Sequence, residues 1–128
     1  MKTIVLVVED HPIIRLNALE LVIDAGFGAL GAKNADEAIR ILEARSDICL
    51  VFTDVEMPGT MDGVKLAQFI RRRWPKIHLI VASGQDIMQE SALPYGTPFF
   101  LKPYLDRSIV AELTRMLSII RHPVLEQV

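Results

Sequence analysis

The 128-residue sequence predicts an α/β domain built on a doubly wound sheet of five parallel strands, in the order 2-1-3-4-5, with helices on both faces. Three observations carry that prediction. Apolar runs of strand length recur along the chain and are continuous rather than alternating, as strands buried on both faces require. Segments with helical period separate them, the alternation that a parallel sheet produces. With 51% of its residues hydrophobic, the chain supports one core, and its length leaves no room for a second domain.

The first strand is "TIVLVV", residues 3 to 8. A helix follows it, with Ile14, Ala18, Leu21, Val22 and Ala25 at spacings of three and four, Pro12 in its first turn and Gly26 at its stop. Ile13, Leu16, Leu19 and Ile23 lie off that face, more apolar surface than one buried stripe needs. The weaker run 27 to 32, "FGALGA", is the second strand. Asn34 with Glu37 three residues on has the spacing of a capping box and opens a helix over about 35 to 44. The third strand is "CLVFT", 49 to 53, and a helix through Leu66, Ala67 and Ile70 runs from about 63 until Pro75 ends it. "IHLIVA", 77 to 82, and "TPFFL", 97 to 101, are the fourth and fifth strands. Between them "SGQDIMQESALPYG" predicts only a short or irregular helix, because Pro94 and Gly96 close it early. The last helix, about 106 to 121, places Ile109, Leu113, Met116, Leu117 and Ile120 on one face. The domain is expected over 1–121 and a short tail over 122–128, with no output domain.

Composition excludes several classes. A formal net charge of -2 signals no nucleic-acid-binding surface, and the basic run at 71 to 73 reads as a solvated helix end. No apolar stretch approaches the ~20 residues of a membrane span. "MKTIVLVV" is not a signal peptide, since Glu9 and Asp10 cut the apolar region short; the expected location is cytoplasmic. Cys49, the single cysteine, has no internal disulfide partner and reads as a small buried hydrophobe.

In this flavodoxin-like order the first and third strands are neighbours, and ligands bind in the crevice at their carboxyl ends. That rule brings Glu9 and Asp10 beside Asp54. Three carboxylates in one crevice repel one another unless a cation sits among them, and Mg2+ suits a site made of a few carboxylates, waters and a phosphate oxygen. Each acid alone could instead be a strand-end or cap residue; for Asp10, just before Pro12, capping is a real alternative. Lys102, in "FFLKPY" after the fifth strand, is a point charge for a phosphoryl group, and an X-Pro bond there permits a cis turn. Ser83 places a hydroxyl after the fourth strand, where it could equally cap a helix.

With these residues assembled, the chain resembles the receiver domain of two-component response regulators, the chemotaxis-regulator-like fold, over roughly residues 2 to 121. The resemblance rests on the acidic pair Glu9 and Asp10, Asp54 followed by "MPG" and "MDG", Ser83, and Lys102 with Pro103. It implies that Asp54 accepts a phosphoryl group from a histidine kinase or histidine phosphotransfer protein. Asp10 and Glu9 with Asp54 would hold Mg2+, joined by the backbone carbonyl of Glu56. Lys102 would pair with the phosphoryl oxygens, Ser83 would donate to one of them, and Phe99 would read out the switch. Glu56 and Gln85 would tune intrinsic hydrolysis of the aspartyl phosphate by flanking the path of the attacking water. The first helix would dock the phosphodonor through Ile13 and Leu16, and an unknown protein target would lie downstream of a monomer or weak dimer.

Two departures from the common pattern concern geometry. The "MPGTMDG" loop is one residue longer than usual, and the interval from Ser83 to Lys102 is about one helical turn shorter. Other readings of the residues are a magnesium-dependent nucleic-acid enzyme using Glu9 with Asp54 and Glu56, which leaves Ser83 and Lys102 unexplained, a non-phosphorylated interaction module on the same fold, and the receiver portion of a hybrid kinase.

Overall fold

The five apolar runs form five parallel strands: β1 Ile4–Val8, β2 Gly28–Ala32, β3 Ile48–Asp54, β4 His78–Ser83 and β5 Phe99–Leu101, hydrogen-bonded in the order β2-β1-β3-β4-β5. The helices are α1 Pro12–Asp24, α2 Ala35–Ala44, α3 Gly63–Arg73 and α4 Asp106–Arg121. This computed structural model describes residues 3–84 and 92–121. The short helix expected after β4 falls largely on 85–91, outside the described residues.

Period-two alternation divides the core into two layers. On one face Leu6, Val8, Val51, Leu79 and Val81 pack with Ala38 and Leu42 of α2 and Leu66 and Ile70 of α3. On the other, Val5, Val7, Leu50, Phe52 and Ile80 pack with Ala18 and Val22 of α1 and Ile109 and Leu113 of α4. Strands apolar on both sides are thus explained: each successive side chain meets a different helix layer.

Helix ends are set locally. The Asn34 side chain accepts from Glu37 N at 2.8 Å, while the Glu37 carboxylate reaches back to Lys33 N at 3.2 Å, one residue beyond the usual capping-box partner. His11 rather than Asp10 caps α1: its Nδ1 accepts from Ile13 N and Ile14 N at 3.2 and 3.4 Å. Asp10 is therefore relieved of the capping alternative and stands exposed at the mouth of the crevice. Two arginines of the basic run are tied to the surface, Arg71 to the carbonyls of Pro75 and Ile77 and Arg73 to Glu43.

Three details differ from expectation. Ile14 is exposed, because it faces an open groove shared with Lys102, Pro103 and Tyr104 instead of the sheet. Cys49 is half-buried, not fully buried; its Sγ donates to the Ile4 carbonyl, and burial pushes the thiol up to about 11, which keeps it unreactive. The ladder of β5 begins only at Phe99, since Pro98 has no N–H to give it. Among the described residues, no helix is long and apolar enough to cross a membrane.

Candidate functional site

The site lies at the carboxyl ends of β1, β3, β4 and β5. β3 runs one residue further than its apolar run and ends on Asp54, whose neighbour across the ladder in β4 is Ala82. Asp54 is 7% exposed and Glu9 5% exposed, although both are acids. Buried carboxylates need partners. The peptide bond between Lys102 and Pro103 is cis, and Lys102 Nζ lies 2.9 Å from Asp54 Oδ1 and 3.3 Å from Glu9 Oε1. Carboxylate oxygens of Glu9, Asp10 and Asp54 come within 4.8 Å of one another.

Burial pushes the Asp54 carboxyl up to about 6; the Lys102 ammonium pulls it back in part, and the charges on Glu9 and Glu56 add to the rise. Burial pulls Lys102 down, but Asp54 and Glu9 outweigh it and the net shift is upward. One lysine therefore serves two buried acids, with exposed Asp10 a third negative charge beside them. Asp54 Oδ1 is buried with the Lys102 ammonium as its charged partner and has no other hydrogen bond. Three carboxylates meeting around a single lysine fit Mg2+, which takes few carboxylates and completes its shell with water.

The loop after Asp54 is shaped by two glycines. Gly59 has φ +108°, a conformation that suits glycine. At Gly63 a Cβ would meet the Asp54 carbonyl oxygen at 2.0 Å, so only glycine lets α3 start against the end of β3. The loop, expected to be longer than usual, is tied down where Thr60 Oγ1 donates to Asp36 of α2 at 3.2 Å, and Asp62 caps α3 by accepting from Lys65 N at 2.9 Å.

Ser83 is the last residue of β4 and fully buried. Its hydroxyl donates to Glu56 Oε2, while Gly84 N donates to Glu56 Oε1 at 2.7 Å. The Ser83 carbonyl accepts from Lys102 N at 2.7 Å, which ties the two strand ends together. The Glu56 carboxylate is thus turned toward β4 and away from the acid cluster, and an acid-x-acid metal pair of Asp54 with Glu56 is not formed. Phe99 opens β5, half-buried against the core layer of α2 and α3. Gln85 lies outside the described residues.

Sequence reasoning missed Arg15. Its Nη1 donates to the Glu9 carbonyl at 2.8 Å and reaches that of Asp10 at 3.4 Å, and so holds the acidic loop in place. Its only signal was a basic residue one turn into the helix that follows two acids.

Residues 5–114 match the model of the response regulator receiver domain. The chain belongs to this family. Among relatives of this receiver, the hydrogenase transcriptional regulatory protein HoxA of Cupriavidus necator is 40% identical over 110 residues, 83% of this chain and 22% of that one. The receiver spans about a quarter of the length of such curated relatives, 24% and 26% in two others. A receiver protein structure from Pseudomonas putida is 29% identical with a TM-score of 0.78, covering 91% of this chain and 98% of that one. The response regulator TrrA of Thermotoga maritima, solved in complex with Mg(2+)-BeF, is 24% identical with a TM-score of 0.76 over 90% of this chain and 98% of that one, and shows the shared fold. Membership in this family places the chain in two-component signalling.

Proposed function

We propose that this receiver accepts a phosphoryl group on Asp54 from a phosphohistidine of a kinase or phosphotransfer protein, and that the modified crevice alters partner binding. The observation that carries the proposal is the pairing of a buried strand-end carboxylate with Lys102 Nζ at 2.9 Å, inside a cluster of three acids. With its carboxyl at about 6, Asp54 is mostly ionised at pH 7 and attacks without losing a proton. An Asp54 oxygen forms a bond to phosphorus as the P–N bond breaks, and the electron pair of that bond leaves with the imidazole. The transfer adds charge where three acids already meet, and the lysine is the protein's own answer to it. Lys102 moves from the Asp54 and Glu9 carboxylates to the phosphoryl oxygens without leaving its turn. Glu9, Asp10, Asp54 and the Glu56 carbonyl would hold Mg2+, which supplies charge neutralisation at the phosphoryl oxygens when bound. Arg15 fixes the loop that presents Glu9 and Asp10.

The phosphodonor docks beside the crevice, on α1. Ile13 is 63% exposed and Leu16 55% exposed, and Ile14 borders the groove that runs to Lys102 and Tyr104. Phe99, on β5 opposite Val81 and two residues before the cross-strand neighbour of Ser83, would sense a change there. Incubation with Mg2+ and acetyl phosphate, followed by intact mass measurement, tests the acceptor role. One phosphoryl adduct is expected, absent from Asp54→Asn; an adduct that survives this substitution would refute it.

A further inference from the structure

The two donors at the end of β4 converge on one anion. Ser83 Oγ and Gly84 N each take a different oxygen of the Glu56 carboxylate, a two-point grip. The grip is built into the sheet: β4 pairs with β3 through Asp54 and Ala82, Val55 N donates to the Ala82 carbonyl at 2.9 Å, and the next residue is Ser83. The donor pair therefore sits one residue beyond the cross-strand neighbour of Asp54. A hydroxyl and an amide spaced to hold two carboxylate oxygens are equally spaced to hold two phosphoryl oxygens. In the unmodified protein they are already occupied.

We propose that Glu56 is an internal latch: its carboxylate fills the anion cradle of Ser83 and Gly84 in the unphosphorylated receiver and must leave before those groups can close on a phosphoryl group at Asp54. This rests on the acceptor reading above. Glu56 itself is exposed, on the loop that leaves β3, so water can receive the released carboxylate at little cost. Phosphorylation supplies the push, because up to about two added negative charges repel it. The competition also sets affinity. A latch closed about nine-tenths of the time weakens apparent binding at the cradle about tenfold, since only the open fraction is competent. Glu56 is thereby a positioning residue acting through Ser83 and Gly84, a role distinct from flanking the path of a water molecule.

Beryllofluoride, which adds to a carboxylate oxygen as a tetrahedral anion, probes this without turnover. Its affinity in the presence of Mg2+ is measured for the wild type, Glu56→Ala, Ser83→Ala and the double variant, with amide NMR spectra of each. Glu56→Ala is expected to bind about tenfold tighter than wild type. In the Ser83→Ala background the same change should tighten binding clearly less, leaving only the effect of the removed charge and of Gly84. Before any ligand is added, the Gly84 amide resonance should move upfield in Glu56→Ala as its charge-assisted hydrogen bond is lost. Equal tightening in both backgrounds, or a Gly84 resonance indifferent to Glu56, would overturn the latch. Failure of the wild type and Glu56→Ala alike to bind beryllofluoride would instead overturn the acceptor reading, and the two failures are distinct.

Discussion

Asp54 should cost the fold stability whenever it is ionised and metal-free, and Asp54→Asn should recover it. In the folded protein the carboxyl sits at about 6 against an ordinary 3.8, chiefly because it is buried. A gap of about 2 units at 1.36 kcal/mol each is about 3 kcal/mol against the charged form. Asparagine removes that penalty, which is already net of the lysine; because the unfolded carboxyl begins to ionise by pH 4, about 2 kcal/mol of it develops between pH 4 and pH 7.5. The folded state holds the Asp54 proton more tightly than the unfolded chain does. Stability attributable to this group is therefore intact below about pH 4, falls as pH rises through the window from about 4 to 6, and stays reduced above it. Urea unfolding of both proteins in chelator, at pH 4 and pH 7.5, reads the difference directly. The variant should match wild type at pH 4 and exceed it by about 2 kcal/mol at pH 7.5. A difference independent of pH, or a less stable variant at pH 7.5, would refute the reasoning that burial outweighs the lysine. Adding Mg2+ at tenfold its dissociation constant should return about 1.4 kcal/mol to wild type and narrow the gap.

Other consequences follow from the same contacts. Gly63→Ala should destabilise by about 3 kcal/mol in urea unfolding despite the better helix propensity of alanine, because the new methyl meets the Asp54 carbonyl; a stabilised variant would contradict the close approach. Lys102→Met should lower phosphorylation by acetyl phosphate about 100-fold while tightening Mg2+ binding, measured by calorimetry, since a competing cation is gone. Asn34→Ala should cost about 1 kcal/mol through loss of the α2 cap, and thermal unfolding checks it. Ile13→Ala with Leu16→Ala should change stability by less than about 0.5 kcal/mol yet slow phosphotransfer from a cognate kinase; an unchanged transfer rate would remove α1 from the docking surface.

The sheet was legible because each strand is an unbroken apolar run, and a parallel strand covered on both faces can tolerate little else. Strand order followed, and with it the meeting of Glu9, Asp10, Asp54 and Lys102, residues far apart in sequence but fixed to strand ends. α1 was read less well. It is apolar nearly all round, so its period did not separate Ile14, which faces the groove, from Ala18 and Val22, which face the sheet. The His11 cap escaped notice because an imidazole nitrogen is an unusual acceptor there, while Asp10 offered the customary one. Glu56 could be placed on the loop but its carboxylate could not be aimed, because the fold of "EMPGTMDG" decides whether it turns to the acids or to Ser83. Gly63 could equally have been an ordinary loop glycine; only the 2.0 Å overlap of an added Cβ with the Asp54 carbonyl shows the close approach.

The most direct test of the central claim is where the phosphoryl group goes. After reaction with acetyl phosphate and Mg2+, borohydride converts an aspartyl phosphate to homoserine, and peptide mass spectrometry then reads its position. Homoserine at residue 54 alone is the predicted result; conversion at Asp10 or elsewhere, with residue 54 still aspartate, would contradict it.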